Sequence, residues 1–182
     1  MILSKTDAIN ILKADHKAVK DLFEQFKKAE TKREKSRIVQ DAIMELKIHT
    51  TIEEEIFYPA VRQALKKSIG KDETTDLMDE ADEEHHVAKL LIAELETMKA
   101  SDDHWEGKFT VLSENIVHHI KEEEHDMFPK ARMLDLDYDA MGDQILMRKD
   151  ELKAKGVPAF AEQALIAKYG IADSPAEAAR TR

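Results

Sequence analysis

The sequence has no cysteine in its 182 residues. Disulfides, thiolate nucleophiles, iron–sulfur ligation and zinc fingers are therefore excluded, and packing must hold the fold together. Glycine and proline are scarce, at 5 and 4 residues, and aromatics make up only 5%. With 36% charged residues, that balance opposes a sheet sandwich and suits long amphipathic helices. No apolar run approaches about 18 residues, so no transmembrane helix is expected. Residues 1–7 lead into no apolar signal core, which makes cytoplasmic location the expectation. A basic face is missing as well. The net charge of −10 at pH 7 opposes nucleic acid or an anionic membrane as main partner.

Histidine is plentiful, with eight residues, a large stock of metal-ligating and proton-transfer groups. Ile9, Leu12, Val19, Leu22, Phe23 and Phe26 recur at helical spacing and predict a first helix over residues 6–29. Thr31 and Glu34 have the form of a capping box. The second helix is expected to run to about residue 67, with Pro59 inside it predicting a kink or an early frayed end. After a polar turn at residues 68–72, a third helix fits residues 75–100. Its stripe runs through Leu77, Ala81, Ala88, Leu91, Ile92, Leu95 and Met98. Ser101-Asp102-Asp103 supplies an acidic start for a fourth helix, which reaches Leu134 and contains Pro129. No strand is needed. Short connections make each helix antiparallel to the next, so residues 1–134 are expected to form an all-α, up-down-up-down four-helix bundle.

Residues 135–182 form a separate C-terminal helical extension. One helix fits residues 139–154, broken at Gly156-Val157-Pro158, and a short one fits residues 159–169. Ser174-Pro175-Ala176-Glu177 has an N-cap Ser followed by Pro at the first helical position. The extension is expected to cover an end or side of the bundle, or to mediate homo-oligomer formation. A loosely ordered appendix is the alternative.

Two stretches resemble each other closely, residues 49–62 and 119–132. Aligned without a gap, they share His, two Glu, Pro and Arg at equal offsets. Asp15-His16 and Glu84-His85, each followed by an apolar helical stripe, form a weaker second pair. The chain therefore reads as a duplicated hairpin with a pseudo-two-fold axis. Each copy supplies one His from its first helix and a His-x-x-x-Glu from its second.

Residues four apart share a helix face, so His49 and Glu53 point together, as do His119 and Glu123. Both pairs interrupt apolar rows, Val39-Ala42-Leu46 on one helix and Phe109-Leu112-Ile116 on the other. A lone buried carboxylate is costly, and a cation between the helices is the cheaper account. The candidate ligands are His16, His49, Glu53, His85, His119 and Glu123. Such a nitrogen–oxygen set suits iron, manganese or zinc. If both Glu bridge, each metal receives two His nitrogens and two Glu oxygens, and an oxo or hydroxo bridge makes five. Zinc usually stops at four, so two iron ions with an oxo or hydroxo bridge are preferred, a mixed iron–manganese pair staying open.

The spacing His16 … His49-x-x-x-Glu53 … His85 … His119-x-x-x-Glu123, with an aromatic and Pro closing each copy, resembles the hemerythrin-like (HHE cation-binding) family. The resemblance covers about residues 6–134. It implies a non-haem di-iron site that reacts with oxygen, nitric oxide or peroxide. Ferritin-like bundles use Glu-x-x-His and more carboxylates, the reverse of the ratio here. Oxygen-carrying hemerythrins have a fifth His one turn after the third-helix His, where this sequence has Lys89. Its fourth-helix carboxylate also comes one position early. The missing fifth His opposes simple reversible oxygen carriage and makes the site resemble that of bacterial members linked to peroxide or nitrosative stress and iron–sulfur repair. Three readings stay open: a di-iron oxidoreductase, an oxygen or nitric oxide binding module, and an iron donor.

The remaining polar residues have plainer readings. His86, His118 and His125 lie off the ligand stripes and read as surface groups or as groups that support a ligand from behind, and His104 as exposed at a helix start. Glu54, Glu55, Glu122 and Glu124 read as a solvated face from which one could orient a ligand His. Tyr58 and Phe128 read as packing at the bundle end, with a hydrogen bond near the site as the alternative for Tyr58. Trp105 reads as an end plug.

Overall fold

Asp7 opens the first helix: its carboxylate accepts the Asn10 backbone N–H at 3.1 Å, satisfying a donor that the first turn leaves free. The computed structural model describes residues 7–68 and 72–169, with side chains from 7–67 and 78–168. The Ser174-Pro175 cap, the turn around Gly70 and the Leu77 side chain lie outside the described residues. Helix α1 spans Ala8–Lys28. Thr31 accepts from the Glu34 N–H at 3.2 Å, the expected first leg of the capping box, and starts α2, Lys32–Ile52. A π-helical turn, Glu53–Phe57, joins α2 to α3, Tyr58–Ser68. The third long rod is α4, Asp72–Thr97, and the fourth is α5, Trp105–Glu122. A second π-turn, Glu123–Met127, joins α5 to α6, Phe128–Ala131. The fold is an all-α, up-down-up-down bundle, with no strand among the described residues.

Two local expectations are corrected. Ser101-Asp102-Asp103 does not cap α5. Asp102 turns back to accept the Lys99 N–H at 2.8 Å, and His104, at φ 66°, takes the cap position, where its side chain does not cap the first turn. Of the two outcomes expected at Pro59, the early frayed end is not observed, because a widened turn carries the helix through it. The Tyr58 N–H reaches back five residues to the Glu53 carbonyl, and Phe128 does the same to Glu123. In a continuous α-helix the following Pro would clash with the carbonyl four residues earlier and leave it without a donor. The wider turn absorbs that conflict. Its extra residue also turns the helix by about 100°, so the adjacent pairs Phe57–Tyr58 and Met127–Phe128 are all buried.

The core falls into two apolar clusters. One gathers Leu12, Ile52, Phe57, Ala81, Met127 and their neighbours; the other gathers Val19, Leu46, Ala88, Phe109, Leu112 and Ile116. Each fully buried Phe or Leu contributes about 1.5–3 kcal/mol. His16 lies between Leu12 and Val19, His49 between Leu46 and Ile52, and His85 between Ala81 and Ala88. His119 and Glu123 lie between Ile116 and Met127. The ligand candidates thus form one polar belt at the boundary of the two clusters.

The extension is α7, Tyr138–Lys155, and α8, Ala161–Tyr169, separated at Gly156, whose φ of 85° favours glycine. Helix α7 packs across α1 and α2 and adds Met141, Ile145 and Leu152 to the first cluster, while α8 lies on α4.

Candidate metal centre

The bundle brings all six sequence-predicted residues together. His16, His49, Glu53 and Glu123 offer ligand atoms within 4.8 Å of one another, and so do Glu53, His85 and His119. The Nε2 atoms of His16 and His49 are 3.2 Å apart, and those of His85 and His119 are 3.1 Å apart. Each carboxylate spans both pairs. Glu53 Oε2 lies 3.2 Å from His49 and 3.5 Å from His85. Glu123 Oε2 lies 3.0 Å from His16 and 3.5 Å from His119. Glu53 and Glu123 are 0% and 1% exposed.

A shell of acids holds the outer ring nitrogens. His16 Nδ1 donates to Glu124 at 2.9 Å, His85 Nδ1 to Glu54 at 3.0 Å, and His119 Nδ1 to Glu84 at 2.7 Å. His49 Nδ1 faces Asp15 Oδ2 at 3.6 Å, too long for a hydrogen bond. The pattern follows the repeat: the residue after each central Glu, and the residue before each first-helix His, turns to an imidazole of another helix. With the proton on Nδ1, each Nε2 lone pair faces the centre, as second shells of metal sites arrange it. Glu54 and Glu124 emerge from the expected solvated face. Asp15 and Glu84, which the sequence marks only as the residues before a His in the aligned copies, take this role through the packing of the helices.

Cations form the next layer. Lys20 lies 3.4 Å from Glu124, and Lys89 donates to both Glu54 oxygens at 2.6 Å. Each Lys comes four residues after its helix's His, so Lys89 belongs to the repeat and addresses Glu54. Of the plainer readings, His118 is exposed beside Glu122 and Glu84. His125 donates to the Lys121 carbonyl at 2.7 Å, and His86 donates to Glu162 of α8 at 2.7 Å. Trp105 is buried against Phe26.

Tyr58 does more than pack. Its ring stacks on His85 at 5.3 Å and its hydroxyl donates to Glu123 Oε1 at 2.8 Å. The hydroxyl also lies 3.4 Å and 3.5 Å from the Nε2 atoms of His85 and His119. Burial pushes the phenol well above its usual pKa, and the charges of Glu123 and Glu53 add to the shift. It therefore stays neutral and a donor. Phe128 holds the equivalent place, stacked on His16 at 5.6 Å.

The electrostatics fit bound cations. Glu53 Oε1 and Oε2 and Glu123 Oε2 are buried without a hydrogen-bond partner, although native interiors satisfy nearly all such atoms. Burial works against a charged His49, but the charges of Glu53, Asp15 and Glu123 outweigh it and push the ring up to about 10. The same opposition, resolved by Glu53 and Glu54, takes His85 to about 9. Burial would raise Glu53, yet His49 and His85 hold it well below the usual carboxylate range. Positive charge on His49 and His85 is thus favoured beside Glu53, the place that a bound cation would take. Beside the four His lies a cavity of about 10 Å³, bordered by Val19, Leu46, Ile116 and Ile120.

Residues 7–131 match the model of the hemerythrin HHE cation-binding domain. A crystal structure of an HHE cation-binding domain-containing protein from Mycobacterium kansasii superposes with a TM-score of 0.66 at 22% identity, covering 87% of this chain and 98% of that one. A protein named DNA nickase, from Nostoc sp. (strain PCC 7120), is 24% identical over 123 residues, 68% of this chain. The match spans only 33% of that relative's length. The chain belongs to the hemerythrin HHE cation-binding family and is a metal-binding, hemerythrin-like protein.

Proposed function

We propose that the chain holds two iron ions, one at His16–His49 and one at His85–His119, bridged by Glu53, Glu123 and an oxo or hydroxo group. The protein reacts with peroxide, nitric oxide or oxygen and serves in defence against oxidative or nitrosative stress. The observation that carries this reading is the pair of fully buried carboxylates whose inward oxygens lack any hydrogen-bond partner while four imidazoles converge on them. Two iron ions supply paired redox equivalents and open coordination positions when bound. The chain's own residues do the rest. The carboxylates Glu54, Glu84 and Glu124 orient three rings, and the apolar border of Val19, Leu46, Ile116 and Ile120 excludes bulk water. A cavity near 10 Å³ is about one water-sized probe, which favours diatomic molecules or peroxide over larger substrates. Tyr58 keeps a proton 2.8 Å from Glu123, and a proton held so near the centre favours reactive turnover over simple storage. Burial of all six residues speaks against ready iron donation. The nicking activity in the Nostoc relative's name is not carried over, because a net charge of −10 opposes DNA phosphates.

Metal analysis and optical spectra of the reduced protein, exposed separately to oxygen, nitric oxide and peroxide, test the reading. Two irons per chain and multiple-turnover peroxide loss are expected. A stable adduct without turnover would select a binding module instead. A single zinc, or no metal after iron reconstitution, would overturn the proposal.

A further inference from the structure

The extension beyond the family match reaches the surroundings of the metal centre, most directly through Lys149. Helix α7 presents Ile145, Lys149 and Leu152 on one face, and all three are buried, Lys149 at 9% exposure. The Lys149 ammonium donates to Asp15 Oδ1, and the two side chains are 11% and 12% exposed. A Met or Leu would fill that seam without the cost of desolvating an ammonium. The other Asp15 oxygen, Oδ2, faces His49 Nδ1 at 3.6 Å, and both atoms lack a hydrogen-bond partner. In the second hairpin, Glu84 stands where Asp15 stands and bonds His119 directly at 2.7 Å. Asp is one methylene shorter than Glu and stops short of its ring. Its place is then set by Lys149, whereas Glu84 meets His118 at 3.8 Å.

We propose that Lys149 is a positioning residue of the metal centre: by holding Asp15 against His49, the extension sets how firmly the His16–His49 half retains its ion. This rests on the two-iron reading above. His49 is the one ligand ring without a direct outer hydrogen bond, so its orientation depends on where Asp15 is held. Outer-shell partners of metal-bound His typically tune affinity 10- to 100-fold.

Iron release measures this directly. The full chain is loaded with ferrous iron without oxygen, freed of excess metal and mixed with a ferrous chelator. Lys149→Met should still bind two irons but release one of them about tenfold faster, the other keeping the wild-type rate. Lys149→Arg should restore both rates. Arg148→Met, the next residue along, bonded to Glu55 and Glu151 near the surface, should leave both unchanged. Circular dichroism and melting of the iron-free protein check the fold, and Lys149→Gln replaces Lys149→Met if the latter does not fold. Two irons released at wild-type rates, or both released equally faster, would overturn the proposal while leaving the two-iron site intact. A wild-type chain that binds fewer than two irons would overturn the underlying reading, and this proposal with it.

Discussion

In the first hairpin the His16 and His49 rings meet edge to face, 4.8 Å apart and inclined by 71°; in the second, His85 and His119 do so at 4.7 Å and 60°. The outer carboxylates on His16 and His85 match as well, at 2.9 and 3.0 Å. Divergence begins one layer out. Tyr58 puts a hydroxyl beside His85 where Phe128 offers His16 only a ring. Glu84 reaches His119 at 2.7 Å where Asp15 stops 3.6 Å from His49. The duplicated hairpin thus preserves symmetry at the atoms that would touch the ions. It breaks that symmetry at the groups that would tune them, so two ions here would be held alike and behave differently.

The symmetric part is tested by removing what both halves share. Glu53 touches His49 and His85, and Glu123 touches His16 and His119. Glu53→Gln or Glu123→Gln keeps the shape but removes a charge that both ions would use. Each variant should lose both irons, with affinity falling more than about 100-fold, since outer-shell changes alone cost 10- to 100-fold. Iron stoichiometry after gel filtration is the measurement. One iron firmly retained in either variant would show that the carboxylate serves a single ion.

The asymmetric part is tested by making the halves alike. Tyr58→Phe leaves Glu123 Oε1 without its donor, and an unsatisfied buried acceptor costs about 1–3 kcal/mol. Urea unfolding should show that loss. In the iron-loaded protein the Mössbauer signatures of the two irons should move towards each other, because the neighbouring rings become equivalent. Unchanged stability together with two undiminished, distinct signatures would locate the asymmetry elsewhere.

The symmetric features were the legible ones. A 3.6-residue period and an ungapped repeat suffice to place His16, His49, Glu53, His85, His119 and Glu123 on inward stripes, because those signals are local. Asp15 and Glu84 precede a His in each copy, but their ring partners lie on the other helix of the same hairpin. Only the rotation of the packed helices reveals that pairing. The π-turns escaped for a related reason. Pro59 and Pro129 signal a conflict with the α-helix, and whether the chain breaks or widens depends on packing of Phe57, Tyr58, Met127 and Phe128. Ser101-Asp102-Asp103 has good capping chemistry, yet Asp102 spends it on Lys99. Lys149 interrupts the apolar face of α7 much as His and Glu interrupt the others, and its meaning needs the neighbour, Asp15.

The smallest expected effect concerns the Arg that closes each copy of the repeat. Arg132 makes a two-pronged bond to Asp7 at 2.6 and 2.5 Å, tying α6 to the cap of α1. Arg62 reaches Asp79 at 3.2 Å, Asp82 and the Met78 carbonyl at 3.0 Å on α4. The first carboxylate is 7% exposed, the second two 59% and 52%, so solvent screens the Arg62 contacts far more. Arg132→Met should cost about 1–2 kcal/mol and Arg62→Met less than about 1 kcal/mol, read from urea midpoints at pH 7. Burial would raise the Asp7 carboxyl, but Arg132 and the Asn10 N–H hold it below its ordinary 3.8. A folded pKa below the unfolded one adds stability that is present above 3.8 and is lost as pH falls through the folded value. The Arg132→Met deficit should therefore shrink on acidification below 3.8. A deficit that stays constant into that range would mean that Arg132 acts through packing on Tyr138, 4.9 Å from its guanidinium carbon, and not through the Asp7 charge.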